Sequence, residues 1–341
     1  MATGCASTVK PAPSPSSMAE HAVPLAEPTI PQGTAMLALQ RLNDAAGLVA
    51  AADLALERGL LGLLAPGPMD VGALAVAAGL DPKPCEVLVR QLQLAGAVAR
   101  TPDGRVAARV DEPGLRYTLR RWRTLPRVVD GGPPEPTAHL YPTLTPVLAD
   151  WMLPSHRVVA RTVGRAGMHL LDLGGGMSPV GQLVVEAHPD ARVTVVDRPE
   201  VLRVLADRLD GRADRFALLA GDLLVDPLPA DADVVLLSGV LHLFGDDDVL
   251  RILRRAVRAT VDGGTVAVAE PLLREDGEID ETITSYEIGL HLRHPQGGIW
   301  PYSRLAGWFA RAGLSDIHRL ALPGAGSLVV GTVGRPATER T

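Results

Sequence analysis

Hydrophobic positions follow one spacing in the first third of the chain and another in the second half. From about Thr34 to Val98, alanine and leucine recur at helical spacing, with a first stop at Gly59. From Gly167 onward, short apolar runs such as MHLLDLG, ARVTVVD and ADVVLLSGVLH alternate with segments of helix length. Buried strands separated by helices predict an α/β fold with a Rossmann-like, doubly wound parallel sheet. A mostly helical domain is therefore expected before the sheet domain.

These patterns predict four segments. Residues 1–30 are rich in Pro, Ser and Ala without periodicity, which predicts a disordered leader. Residues 31–112 predict a helical, winged-helix-like dimerisation domain, because two helices are followed by a hairpin around Asp103. Repeated prolines predict a helical linker over residues 113–160. Residues 161–336 contain the sheet domain.

Charge and composition narrow the class of partner. Lys and Arg number 33 against 39 Asp and Glu, so the chain offers no general attraction to nucleic acid or an anionic membrane. The second helix of the winged segment has Arg90 as its one basic residue between Cys85 and Leu94, which argues against DNA binding. The absence of a long apolar run or a secretory signal predicts a cytoplasmic protein. Apolar residues in excess of what a small helical domain can bury predict a homodimer.

Acidic residues and glycines follow three of the predicted strands. The first strand leads into Asp172-Leu173-Gly174-Gly175-Gly176, the second ends at Asp197, and the third is followed by Asp222. Glycines at a strand-to-helix turn let a ligand approach the backbone, and a carboxylate about twenty residues further on can bind ribose hydroxyls. The turn alone also suits a dinucleotide, and each acid could instead cap a helix. Three acids favour adenosine joined to an amino acid over a pyrophosphate, which they would repel.

With these residues, the chain resembles the class I S-adenosylmethionine-dependent methyltransferases, in the branch with an N-terminal winged-helix dimerisation domain. The resemblance covers roughly Thr34 to Val333, although Ser178 replaces the last glycine of the family's Gly-x-Gly-x-Gly motif. The cofactor-binding residues that it implies are Asp172, Gly174, Gly176, Asp197, Asp222, Leu223 and Ser238. Among them, Asp172 and the glycine turn would hold the methionine part, Asp197 the ribose and Asp222 the adenine amino group.

Histidines occur at two places that such a fold brings to one cleft. His242 follows the fourth predicted strand, and a helix over Ile283–Leu290 is predicted to continue to His291 and His294. Residues three apart share a helix face, so both imidazoles could point at one spot, as in metal-binding helices. Structural roles are the alternative, because a lone histidine at a strand end or a solvent-facing histidine at a helix end is common.

With Gly289 and Gly298 at matching positions, this segment resembles the metal-dependent 2-oxo acid C-methyltransferases. The resemblance implies that His242 and His294 carry catalysis and bind a divalent metal, and His291 is inferred as a third ligand. Three nitrogen ligands suit Zn²⁺ or Fe²⁺. The expected function is methylation of C3 of a 2-oxo acid through a metal-chelated enolate, in the biosynthesis of an antibiotic precursor.

Other functions remain open at this point. In small-molecule O-methyltransferases, which the chain also resembles, the histidine matching His242 is the general base for a phenol. A cofactor-binding cyclase, hydroxylase or dimeric regulator without transfer chemistry is a third possibility. For the 2-oxo acid reaction, the base is a metal-bound hydroxide or one of Asp246, Asp247 and Glu287, and Arg293 or an arginine of residues 116–127 would pair with the substrate carboxylate.

Overall fold

The described part of the chain, in a computed structural model, comprises residues 32–134, 139, 141–324 and 326–334. The expected leader over residues 1–30 lies outside the described residues. The chain divides into two compact units between Arg116 and Tyr117. The finer segment boundaries expected from the sequence remain predictions.

The first unit is helical apart from one hairpin. Its elements are α1 (Gln32–Glu57), α2 (Leu60–Leu64), α3 (Val71–Ala78), α4 (Pro82–Leu94), β1 (Val98–Arg100) and β2 (Val106–Ala108). Helix α1 ends just before Gly59, which has a left-handed φ of 65° that glycine adopts without steric cost. Strands β1 and β2 pair antiparallel around Gly104, as the sequence predicts. Two helices followed by a hairpin are the order expected of a winged helix.

Four helices precede the sheet, where the sequence predicts a helical linker. They are α5 (Glu112–Trp122), α6 (Leu125–Val129), α7 (Tyr141–Trp151) and α8 (Leu153–Val163). Prolines stand at the first turn of α6 and α8, where the missing N–H costs nothing, and Pro146 lies inside α7. These helices are short because proline limits how far each can run.

The second unit contains a seven-stranded sheet with helices between its strands. The strands are β3 (His169–Leu173), β4 (Arg192–Asp197), β5 (Phe216–Ala220), β6 (Ala232–Ser238), β7 (Thr260–Pro271), β8 (Leu314–Ala321) and β9 (Gly326–Val333), and the helices are α9 (Pro179–Ala187), α10 (Pro199–Ala206), α11 (Asp246–Ala259), α12 (Glu281–His291) and α13 (Tyr302–Ala312). The strand order is β5-β4-β3-β6-β7-β9-β8, in which β3 to β7 pair in parallel and β9 pairs antiparallel with both β7 and β8. The predicted α/β fold is confirmed.

The inner strands of the sheet are buried on both faces, which explains why they are almost continuously apolar. Leu171 of β3 belongs to a hydrophobic cluster with α11 and α13, whereas its neighbour Leu170 belongs to a second cluster with α8, α9 and α10. Successive side chains point to opposite faces, so each strand contributes to both clusters. Within the described ranges, no helix has both the length and the hydropathy needed to cross a membrane.

Asp70 is expected to stabilise the first unit by capping α3. Its carboxylate accepts hydrogen bonds from the Gly72 N–H at 2.8 Å and the Ala73 N–H at 3.4 Å. Replacing such a cap by alanine costs about 1 kcal/mol. We therefore expect Asp70→Ala to lower the free energy of unfolding by that amount in urea titrations. Asp81→Ala is the matched control, because Asp81 precedes α4 without a side-chain cap and should change the free energy less.

Candidate active site

Polar residues collect at the carboxyl ends of the parallel strands. Asp172 lies near the end of β3, Asp197 and Ser238 end β4 and β6, and Glu270 lies near the end of β7. In open α/β sheets, ligands bind at this edge, where the strand order reverses. Here the reversal lies between β3 and β6. The predicted cofactor residues and His242 therefore belong to the same edge of one sheet.

The turn after β3 holds its backbone open to a ligand. Gly174 and Gly176 have φ values of 66° and 56°, in the left-handed region. A Cβ atom on Gly174 would lie 2.8 Å from a methyl group of Val240, so the turn has no room for a larger residue there. The Gly174 N–H donates to the Val196 carbonyl at 2.7 Å, and the Gly176 N–H donates to the Asp197 carboxylate at 2.8 Å. The turn is thereby tied to the end of β4.

Asp172 has a buried carboxyl group, and one of its two oxygens has no hydrogen-bond partner among the described residues. Its Oδ2 accepts a hydrogen bond from the Ser178 hydroxyl at 2.6 Å, while Oδ1 is buried and has no partner among the described residues. Burial raises the pKa of Asp172 to about 7. Ser178, which replaces the motif's last glycine, has a left-handed φ of 45° and fixes this carboxyl group. The free oxygen can accept a hydrogen bond from a cationic ligand.

Asp197 and the residues after β5 complete the predicted cofactor site. Asp197 also accepts the Arg198 N–H at 2.7 Å, and burial raises its pKa. Leu223 is buried and lies 3.6 Å from the Cβ position of Gly174, so it belongs to the same crevice. Asp222 is exposed, accepts the Leu224 N–H at 2.8 Å and donates its own N–H to Asp226. Its hydrogen bond to Leu224 is the one a turn-capping residue makes.

This edge fits S-adenosylmethionine. An orphaned buried carboxylate oxygen at Asp172 suits the methionine ammonium, and the glycine turn admits a ligand against the backbone. Asp197 retains lone pairs for the ribose hydroxyls beyond its two backbone bonds. The individual contacts assigned to these residues remain predictions.

His242 is held by a buried carboxylate from the neighbouring strand. It lies in a 3-10 turn over Leu241–Leu243, and its Nδ1 is 2.5 Å from Glu270 Oε2. The other oxygen of Glu270 accepts the N–H groups of Val240 and Leu241 at 2.8 and 2.7 Å. Because a carboxylate accepts at Nδ1, the Nδ1–H tautomer is favoured and Nε2 is left as an acceptor.

A glycine pair behind His242 fixes its backbone. The Gly298 N–H donates to the His242 carbonyl at 3.0 Å, and the same carbonyl lies so close to Gly297 that no Cβ fits there. From the sequence alone, Gly298 indicates only a family resemblance. In the structure, this segment positions the histidine.

Two tyrosines face the histidines. The Tyr286 hydroxyl of α12 lies 2.9 Å from His242 Nε2, and the Tyr141 hydroxyl of α7 lies 2.8 Å from His294 Nε2. Burial, followed by the charge of Arg293, lowers the pKa of His294 to about 4, so His294 is neutral at pH 7. Burial likewise raises the pKa of Tyr286 and of Tyr141, and both stay protonated.

The predicted three-histidine metal site is not formed. Helix α12 ends at His291, and His294 lies in the turn that follows, where its N–H still donates to the Leu290 carbonyl at 2.8 Å. Both ring nitrogens of His242 have hydrogen-bond partners, and His294 pairs with Tyr141. Across the described residues, no group of three His, Cys, Asp or Glu side chains could hold a metal ion.

Sequence reasoning missed Glu270, Tyr286, Tyr141 and Arg121. Glu270 carried a usable signal, because GTVAVAE is an apolar strand that ends in an acid, like the strands ending at Asp172 and Asp197. Tyr286 and Tyr141 carried none, since an aromatic residue in a helix is most often part of the core. Arg121 was covered only as one arginine of residues 116–127.

Comparison with known proteins supports an S-adenosylmethionine-dependent methyltransferase with this fold. Residues 146–306 match the family model described as an O-methyltransferase domain. It is 29% identical over 312 residues to the 3-hydroxy-5-methyl-1-naphthoate 3-O-methyltransferase of Streptomyces sahachiroi, covering 81% of this chain and 89% of the relative. It is 39% identical over 107 residues to the mitomycin biosynthesis 6-O-methyltransferase of Streptomyces lavendulae, covering 31% of this chain and 30% of the relative.

Solved structures agree on the architecture. The mitomycin 7-O-methyltransferase MmcR has a TM-score of 0.70 at 25% identity, covering 89% of this chain and 98% of that one. Human N-acetylserotonin methyltransferase in complex with S-adenosylmethionine has a TM-score of 0.69 at 21% identity, covering 91% of this chain and 100% of that one. At this identity, the likeness supports the fold alone.

The prediction of C-methylation of a 2-oxo acid is wrong. The relatives are named as O-methyltransferases, and the matching domain family is that of O-methyltransferases. The metal-chelated enolate depended on the three histidines, which the structure does not bring together as ligands. The prediction depended on a resemblance to the 2-oxo acid C-methyltransferases that Gly289, Gly298 and the histidines suggested, whereas the matching relatives are O-methyltransferases.

Binding of S-adenosylmethionine should depend on pH through Asp172. With a pKa of about 7, this carboxyl group is mostly protonated at pH 5.5, whereas the cationic methionine group prefers the ionised form. The affinity should therefore rise about tenfold from pH 5.5 to pH 7, measured by calorimetry. Asp172→Asn should weaken binding and remove the dependence. Asp190→Asn, at an exposed loop position, should leave both unchanged; a flat profile in the unaltered protein would contradict the assignment.

Proposed function

We propose that this enzyme transfers a methyl group from S-adenosylmethionine to a hydroxyl oxygen of an aromatic small molecule, with His242 as the general base. The observation that carries the proposal is the Glu270–His242 pair, whose geometry leaves Nε2 as a proton acceptor beside the cofactor edge. The relatives named above as O-methyltransferases support the same reaction type. One of them is named for mitomycin biosynthesis, which supports a similar role in natural-product biosynthesis here.

The chain's residues supply a base and its orientation. S-adenosylmethionine, when bound, supplies a methyl group on a sulfonium, and the S–C bond breaks as the O–C bond forms. His242 Nε2 takes the hydroxyl proton, which raises the nucleophilicity of the oxygen. Glu270 holds the ring in the required tautomer and stabilises the imidazolium that results. The proton then leaves to solvent, and the base is restored.

Tyr286 marks where the substrate hydroxyl would bind. Its hydroxyl lies 2.9 Å from His242 Nε2, the distance that a proton-donating hydroxyl of a substrate requires. Tyr286 itself stays protonated, because burial raises its pKa. A substrate hydroxyl would take over this hydrogen bond when it binds.

Substitution of His242 and Glu270 should separate catalysis from cofactor binding. His242→Ala should lower kcat by about 10²- to 10⁴-fold, because the base is lost, while the Kd for S-adenosylmethionine stays nearly constant. Glu270→Gln keeps an oxygen for the two backbone N–H groups but turns an NH₂ group toward Nδ1. This favours the tautomer with Nε2–H, which cannot accept a proton, so kcat should fall by about 10²-fold or more.

The control is Tyr286→Phe, which should keep most of kcat because the substrate hydroxyl replaces the tyrosine's. Activity is measured as methyl ether formation by mass, with a panel of hydroxylated aromatics. Exhaustive chelation should leave the rate unchanged. Full activity of His242→Ala would refute the general-base role.

The homodimer expected from the sequence is also proposed, through α1. The large apolar side chains Met36, Leu37, Leu39 and Leu42 are each 64% exposed or more in the single chain. A helix that exposes so much apolar surface is a candidate interaction surface, and a second copy of the chain offers the same helix in return.

The dimer proposal predicts a twofold mass in light scattering at micromolar concentration. Leu39→Glu and Leu42→Glu together should shift the protein toward the monomer, since they would bury charge at the interface. Ile279→Glu is the control, because this apolar side chain is 85% exposed and lies outside α1. A monomeric unaltered protein would refute the proposal.

A further inference from the structure

Two arginine side chains meet at Gly289 on α12. The guanidinium of Arg121 lies beside this glycine, and a Cβ there would be in van der Waals contact with Arg121 Nη2 at 3.6 Å. Arg293 Nε donates to the Gly289 carbonyl at 3.3 Å. Burial lowers the pKa of Arg121, and the neighbouring positive charge of Arg293 lowers it further. Two neighbouring positive charges are stabilised by an anion that binds beside them.

No carboxylate among the described residues supplies such an anion. Among the described residues, neither Arg121 nor Arg293 forms an ion pair with a carboxylate. Glu270 is fully engaged by His242 and two backbone N–H groups, and Asp197 accepts the N–H groups of Gly176 and Arg198. The guanidiniums are therefore uncompensated within the described structure.

Buried polar atoms beside Arg121 are also left without partners. Among the described residues, neither Arg121 Nε nor the Tyr117 hydroxyl, both buried, has a hydrogen-bond partner of good geometry, although the two side chains interact with each other. The guanidinium carbon of Arg121 lies 6.0 Å from the Tyr117 ring centroid and 5.4 Å from that of Trp122, so aromatic rings orient it. Buried donors without partners are costly, and a ligand with acceptor oxygens would satisfy them.

This arginine pair lies beside the proposed reaction centre. Gly289 follows Tyr286 by one helical turn, on the same side of α12. The Tyr286 hydroxyl is hydrogen-bonded to His242, and the charges of both arginines act on that hydroxyl. A substrate whose hydroxyl reached His242 would extend past Tyr286 toward the arginines.

We propose that Arg121 and Arg293 bind a carboxylate of the substrate, so that the enzyme methylates a hydroxyaryl carboxylic acid. The inference rests on the proposed O-methylation and adds the substrate class. A planar guanidinium matches a carboxylate with two parallel hydrogen bonds, and two arginines at one point can hold both oxygens. The relative from Streptomyces sahachiroi is named for a hydroxylated naphthoate, which is a substrate of this class.

The first test measures binding without any reaction. 1-Naphthoate and its neutral isostere 1-naphthamide are titrated by calorimetry into the full chain with S-adenosylhomocysteine present. The carboxylate should bind at least about tenfold tighter than the amide. Arg121→Gln and Arg293→Gln should each weaken binding of the carboxylate by about 10- to 100-fold and leave the amide unchanged. Arg127→Gln, at an exposed position on α6, is the control and should change neither affinity.

Arg121→Lys adds a test of geometry, since it keeps the charge but loses the planar fork. It should give a loss between those of the unaltered protein and Arg121→Gln, and unchanged affinity for S-adenosylhomocysteine verifies that each variant is folded. Equal affinity for naphthoate and naphthamide would overturn the carboxylate site. So would an affinity for naphthoate that the Gln variants leave intact, or no measurable binding of naphthoate.

The second test separates this inference from the proposed reaction. 3-Hydroxy-1-naphthoate and its amide are offered as substrates, and kcat/KM is measured for each. A preference for the acid that Arg121→Gln and Arg293→Gln abolish supports the inference. Equal methylation of both overturns the carboxylate site while O-methylation stands. Arginine-dependent binding of the acid without methylation supports the site and counts against the proposed reaction.

Discussion

The buried carboxylate of Glu270 is the interaction on which the candidate active site depends. It joins the end of β7 to the turn after β6 by accepting the Val240 and Leu241 N–H groups and facing His242 Nδ1. A buried carboxylate is unfavourable unless hydrogen bonds compensate its lost hydration, and here both of its oxygens have partners. The same bonds that make the carboxylate tolerable therefore fix the position and the tautomer of the histidine.

The fold and the cofactor edge could be predicted because their signals are local. An apolar run followed by Asp172 and three glycines specifies a buried strand and an open turn within a dozen residues. The parallel order then brings Asp197 and Asp222 to the same edge without further information, since parallel strands in such sheets share one carboxyl side. Ser178 shows the limit of motif matching, because its hydroxyl replaces a missing glycine with a hydrogen bond to Asp172.

The pairing of each histidine with its partner could not be predicted, because it depends on contacts distant in sequence. His242 and Glu270 are separated by 28 positions, and Tyr141 and His294 by 153. The metal hypothesis also required α12 to continue through His294, although it ends three residues earlier and turns His294 toward Tyr141. Helix ends are the least certain part of a sequence prediction. An extension of α12 by three residues was enough to suggest a set of metal ligands.

Electrostatics divide the candidate site into two halves of opposite sign. Asp172 and Asp197 lie on the side of β3 and β4, where a cationic sulfonium and ammonium would be stabilised. Arg121 and Arg293 meet at Gly289 on α12, with Tyr286 and His242 beside them. We propose that the cofactor cation and the substrate anion bind in these two halves, with His242 between them. His242 can accept a proton there, because the carboxylate of Glu270 compensates the positive charge that the imidazole gains.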